Sequence, residues 1–165
     1  MPQRILVGVD DSLASRRALD RAIRIAAEGN GRIGLLTSAP HPPLVIATSP
    51  IVPPASRSQL SDEMVDWART CVEDATELVP DDIPVMKLVA HGEPAAALRE
   101  EAERGCWDLV VVGQSERRHR LRRPVGARLR RSGVPVLVVG EQAPDSRPSR
   151  RRERRATSPV AAKGV

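Results

Sequence analysis

The 165 residues contain no phenylalanine and no tyrosine, and only two tryptophans, Trp67 and Trp107. Modules that read single-stranded nucleic acid stack bases on exposed aromatic rings, so this scarcity counts against specific nucleic-acid recognition. The core must be packed from Val, Leu, Ile and Ala, with both tryptophans as packing residues. Cysteine is equally sparse. Cys71 and Cys106 stand far apart, with no Cys-x-x-Cys or Cys/His cluster, so neither zinc nor a disulfide framework is indicated. Both read as small core residues rather than nucleophiles. No apolar run approaches the ~18 residues of a membrane span. No secretory segment precedes Ile5, so a cytoplasmic protein without a membrane role is expected. The phosphate-binding pattern Gly-x-x-x-x-Gly-Lys-Ser/Thr and the Gly-x-Ser-x-Gly elbow are both missing. His41, His91 and His119 fall in separate loops, which leaves a metal site or a catalytic triad unsupported. The expectation is a protein that is not an enzyme and holds no metal of its own.

What is present is charge, unevenly placed. The formal net charge is +5. Residues 114–131 hold eight arginines (117, 118, 120, 122, 123, 128, 130 and 131) against Glu116 alone, a net of +7. The stretch from Glu141 carries six arginines and Lys163 against three carboxylates, a net of +4. The remainder is therefore acidic, at −6. Localised basic character argues for a local anionic partner or a solvated segment. With 41% hydrophobic residues, the chain reads as one domain over 1–140 with a tail over 141–165. The tail, which includes Arg150-Arg151-Arg152-Glu153-Arg154-Arg155, has no apolar period and is expected to be disordered.

Along residues 1–140, short Val/Leu/Ile runs alternate with helical patterns. Arg4 to Asp10, Ile33 to Ser38, Val85 to Val89, Asp108 to Gly113 and Val134 to Val139 read as strands, several of them buried on both faces. Ser12 is a fitting N-cap for a helix with Ala18, Leu19, Ala22, Ile23 and Ala26 on one face. Gly29-Asn30-Gly31 ends that helix. Residues 39–55 contain six prolines and read as a surface connection. A second helix is expected to open at Ser61-Asp62-Glu63 and stop before Pro80. A third opens at Pro94 and stops at Gly105, and a fourth runs from Pro124 to Ser132. Strict β-α alternation requires a parallel sheet with helices on both faces. In such sheets ligands bind beyond the carboxyl ends of the strands.

Four landmarks recur in order: Ile-Leu-Val-Gly-Val-Asp-Asp-Ser at 5–12, Gly-Glu-Pro at 92–94, Asp-Leu-Val-Val-Val-Gly at 108–113 and Val-Pro-Val-Leu-Val-Val at 134–139. Together they resemble the universal stress protein family. The resemblance implies a Rossmann-like three-layer α/β sandwich of the adenine-nucleotide alpha hydrolase-like kind, with a five-stranded parallel sheet in the order 3-2-1-4-5. It also implies a cytoplasmic stress-response role, a homodimer formed through the last strand, Val134 to Val139, and ATP or another adenine nucleotide as ligand.

The family's nucleotide motif is Gly-x-x-Gly, nine residues, then Gly-Ser or Gly-Thr, whose backbone N–H groups and hydroxyl cradle phosphates. Carried over by position, Val9 and Asp10 fall beside the base, Ser38 lines its pocket, and Gly113 and Gly126 match the first and third glycines. Glu116 stands at the second glycine, however, and Ala127 replaces the hydroxyl. The phosphate cradle therefore reads as degraded, with nucleotide binding weak or lost. Two other readings remain. The chain is alternatively an adenine-nucleotide sensor using Asp10, Ser38, Gly113 and the loop arginines, because guanidinium holds phosphate without glycine. Or the arginine-rich loop and tail bind nucleic acid and other polyanions non-specifically by counterion release.

Overall fold

The computed structural model describes residues 1–39, 51, 53–114, 129 and 132–140, with Arg57 described in its backbone only. Five strands, β1 (Arg4–Gly8), β2 (Arg32–Ala39), β3 (Val85–His91), β4 (Leu109–Gln114) and β5 (Val136–Gly140), form one sheet. Their spatial order is β3-β2-β1-β4-β5 and every neighbouring pair is parallel. Helices α1 (Leu13–Gly29), α2 (Pro54–Glu77) and α3 (Pro94–Arg104) make crossovers between them. This is the Rossmann-like α/β sandwich with the strand order anticipated from the sequence.

The strands alternate their contacts between two cores. Ile5, Val7, Ile33, Leu35 and Val111 point to one face, under Ala18, Leu19 and Ala22 of α1 and Val72 and Ala75 of α2. Leu6, Leu36, Val110 and Val112 point to the other, under Ala97, Leu98 and Ala102 of α3, Trp107 and Leu129. Central strands covered on both faces need no polar alternation, hence the unbroken Val/Leu runs. Each fully buried Leu, Ile or Val is worth about 1.5–3 kcal/mol over leaving it in water. In a chain with no Phe or Tyr, Trp107 supplies the one large aromatic plug. Its ring lies over Gly34 of β2, where any side chain would collide with it, and its indole N–H donates to Glu101 at 3.1 Å.

Several boundaries differ from the sequence-based expectation, each for a local reason. α2 begins at Pro54, two turns before Ser61, because a proline in the first helical turn has no hydrogen bond to lose. β1 ends at Gly8 because Asp10 folds into a turn. β5 begins after Pro135, which has no N–H to give a ladder, although its carbonyl still accepts from Val110 at 2.9 Å. β3 continues to His91, paired with Ala39. Cys106, expected in the core, is exposed with φ 53, and Trp67 is also on the surface. The arginines of 117–131, Gly126, most of the expected helix over 124–132, the proline-rich connection over 40–50 and the tail over 141–165 lie outside the described residues. Of that fourth helix, Leu129 is helical and buried.

Candidate functional site

The carboxyl ends of β1, β2 and β4 converge on the turn that leads into α1. Val9, immediately after β1, is locked on both sides of its peptide. Its N–H donates to the Leu36 carbonyl at 2.9 Å, and its own carbonyl accepts from the buried Thr37 hydroxyl at 2.9 Å. Asp10 follows in a tight reciprocal network. Its Oδ1 accepts from the Ser12 N–H at 2.9 Å, and its backbone N–H donates to Ser15 Oγ at 2.9 Å. Ser12 Oγ in turn accepts from the Ser15 N–H at 3.1 Å, the N-cap that starts α1. The Asp10 carboxylate thus has a structural duty at the carboxyl end of β1.

On the neighbouring strand, Ser38 is buried and its hydroxyl donates to the Gly92 carbonyl at 2.7 Å. Gly92 returns the tie, its N–H donating to the Ala39 carbonyl at 2.9 Å. Gly92 has φ 95, a conformation open to glycine at little cost, which explains the Gly in His-Gly-Glu-Pro. Ser38 therefore pins the loop entering α3 to the end of β2, while its oxygen keeps acceptor capacity.

Gly113, opposite Val139 in the sheet, lies directly against the backbone of Ala14 and Ser15. A Cβ there would drive into the first turn of α1. Glycine at this position lets α1 settle onto the end of β4, which in turn places Ser15 on Asp10. Of the expected site residues, Val9, Asp10 and Gly113 meet at the turn into α1, Ser38 ties the end of β2 to the separate loop at Gly92, and Gly126 falls outside the described residues. Sequence reasoning overlooked Ser15 and Thr37. Ser15 lies three residues after the recognised cap Ser12, where its N–H meets the cap and its hydroxyl reaches back to the Asp10 N–H.

The opposite, amino-terminal end of the sheet has its own fixed point. Asp108 accepts from the backbone N–H groups of Arg4 and Gln3, both at 2.9 Å. These donors, with the positive charges of Arg4 and the chain terminus, hold its carboxyl below the usual value of 3.8. A cavity of about 560 Å³ opens beside it, lined by Met1, Pro2, Gln3, Asp108, Leu109 and Pro135. It sits at the wrong end of the strands for the chemistry of an open parallel sheet and is built largely from the first three residues. Cys71, half-buried in α2, has its thiol pushed up by burial and then by the nearby carboxylates of Asp11, Asp10 and Asp74. No group of three or more His, Cys, Asp or Glu among the described residues is placed to hold a metal ion. Among them, too, no helix is long and apolar enough to cross a membrane.

A parallel sheet in this order, with an Asp-x-Ser turn opening the first helix beside a glycine of the fourth strand, defines a narrow class of α/β protein. The profile of the universal stress protein family matches residues 1–140, and the chain belongs to that family. No curated protein matches it by sequence. Among solved structures it is similar to a universal stress family protein from Burkholderia pseudomallei, at 24% identity and TM-score 0.65, covering 83% of this chain and 95% of that one. It is also similar to a universal stress protein in complex with cAMP, at 28% identity and TM-score 0.59, covering 84% and 97%. A family protein from Arabidopsis thaliana with AMP bound shares the fold at 17% identity and TM-score 0.61, covering 86% and 94%.

Proposed function

We propose that the chain is a stress-response binding module, not an enzyme, whose carboxyl-end cleft takes an adenine mononucleotide weakly. The adenosine end is held near Val9, Asp10 and Ser38, and the outer phosphates gain little. The observation that carries this reading is the hydrogen-bonded turn at Val9 and Asp10, with Gly113 packed against its helix and the buried Ser38 at the end of the neighbouring strand. Support also comes from relatives, since two of the similar structures hold monophosphates, one cAMP and one AMP. The phosphate side departs from the family motif in sequence, with Glu116 and Ala127 in place of glycine and hydroxyl. A carboxylate beside a phosphate opposes binding, and a lost hydroxyl removes a donor. Titration of AMP by calorimetry should give a Kd of about 0.1–1 mM. No heat at millimolar AMP would remove the nucleotide from the account.

The same reading includes a homodimer. β5 ends the sheet, and Val136, Leu137, Val138 and Val139 are only half-buried. An apolar edge strand of this kind is a template for pairing with a second copy. Sedimentation should show a dimer at micromolar protein, and a monomer at every concentration would withdraw this part. The eight arginines after Gly113 favour one further reading, capture of polyanions by charge alone. That reading predicts binding to DNA that collapses with added salt, and salt-independent binding would contradict it.

A further inference from the structure

α2 carries more apolar surface than the sheet covers. Ala68, Val72 and Ala75 face the core. Beside them runs a second stripe, Leu60, Met64, Trp67 and Cys71 at spacings of four, three and four, continued two turns on by Leu78 at the helix C-cap. Trp67 is 38% exposed and Leu78 52% exposed, in a chain with only two aromatic residues. Along the outer border of this stripe lie Glu63, Asp66, Asp74 and Glu77, all exposed. Over its length α2 holds six carboxylates against two arginines.

These carboxylates are poorly matched. On α3, Glu100 and Glu103 pair with Arg104 and Arg99 at 2.8 and 3.8 Å. On α2, Asp66 pairs with Arg69 at 3.4 Å, while Asp62, Glu73, Asp74 and Glu77 have no ion pair among the described residues. An exposed tryptophan edged by carboxylates suits guanidinium groups, which stack on the ring and pair with the acids.

We propose that this face of α2 is the docking surface for the arginine-rich segment Arg147–Arg155 of the same chain. Charge and length both favour it. The tail from Glu141 has a net charge of +4, concentrated in Arg150-Arg151-Arg152-Glu153-Arg154-Arg155. It leaves the sheet at Gly140 of β5, and α2 packs over β2 and β3. Three strand spacings, about 14 Å, separate β5 from β2. The ten residues from Glu141 to Arg150 reach up to about 33 Å when extended, ample for the crossing. α1, which lies on the same face of the sheet, exposes Arg16, Arg21 and Arg24 and offers the tail less attraction.

Quenching of tryptophan fluorescence by acrylamide tests this in the full chain, because Trp107 is buried and the quenching reports Trp67. The comparison is wild type against a full-length variant carrying Arg147→Gln, Arg150→Gln, Arg151→Gln, Arg152→Gln, Arg154→Gln and Arg155→Gln. At about 20 mM salt the variant's quenching constant should be about twofold higher, and about 0.5 M salt should raise wild type to match it. Glu63→Gln/Asp74→Asn/Glu77→Gln should produce the same rise with an unchanged circular dichroism spectrum. Equal quenching in wild type and the tail variant at low salt would overturn the proposal. So would protection that grows with protein concentration, which would place the contact between copies.

Discussion

At the scale of single residues, Asp10 carries two duties that one substitution can separate. Asp10→Asn keeps an oxygen for the Ser12 N–H but removes the negative charge. It should leave the melting temperature within a degree or two while weakening AMP binding about tenfold or more. Asp10→Ala removes the acceptor as well and should cost about 1 kcal/mol of stability. A calorimetric and thermal-melt pair on both variants checks this, and AMP affinity unchanged in Asp10→Asn would place the ligand elsewhere. Gly113→Ala pushes a methyl into the Ala14–Ser15 backbone and should cost about 1–3 kcal/mol in urea unfolding. Cys106, exposed with φ 53 just past α3, has the opposite prospect. Cys106→Gly should stabilise by about 0.5 kcal/mol, since relief of the left-handed strain outweighs glycine's added chain entropy. The sequence reading assigned Asp10, Ser12 and Gly113 from pattern and family. It missed the left-handed Cys106, because a cysteine gives no signal of that conformation and the neighbouring Gly105 looked like the stop.

At the scale of elements, the sheet is tied at both ends by side chains reaching across strands. Asp108 fixes the start of β4 to the residues opening β1 through two backbone N–H groups. Because those donors lower its folded value below 3.8, its stabilising effect is complete above that pH and fades as pH falls through the lowered value. Asp108→Asn should therefore be less stable than wild type near neutrality, with the gap closing in acid unfolding below pH 3.8. A gap that stayed constant with pH would show that the charge has no part. Strand identity and order were legible because buried parallel strands write continuous Val/Leu runs, and because α-β alternation permits few topologies. The start of α2 was not. A proline cluster marks both a loop and a helix beginning, and only Pro54 in place distinguishes them.

For the whole molecule, the account rests on an uneven division of labour around one cleft. In the proposed reading adenosine lies against the strand ends and the α1 turn, whereas Glu116 and Ala127 stand where the family motif has glycine and a hydroxyl. An acidic body, meanwhile, carries basic charge concentrated after β4 and β5, so partner choice should respond strongly to salt. The core was readable from composition alone, since a chain without Phe or Tyr must pack aliphatic residues. The surface role of α2 was not readable, because its two apolar stripes merge into one helical pattern. The most direct test is a calorimetric comparison of AMP and ATP under one buffer. The account predicts affinities within about threefold of each other, less than 1 kcal/mol apart. ATP binding about a hundredfold tighter than AMP would contradict it, because the outer phosphates would then have a working grip.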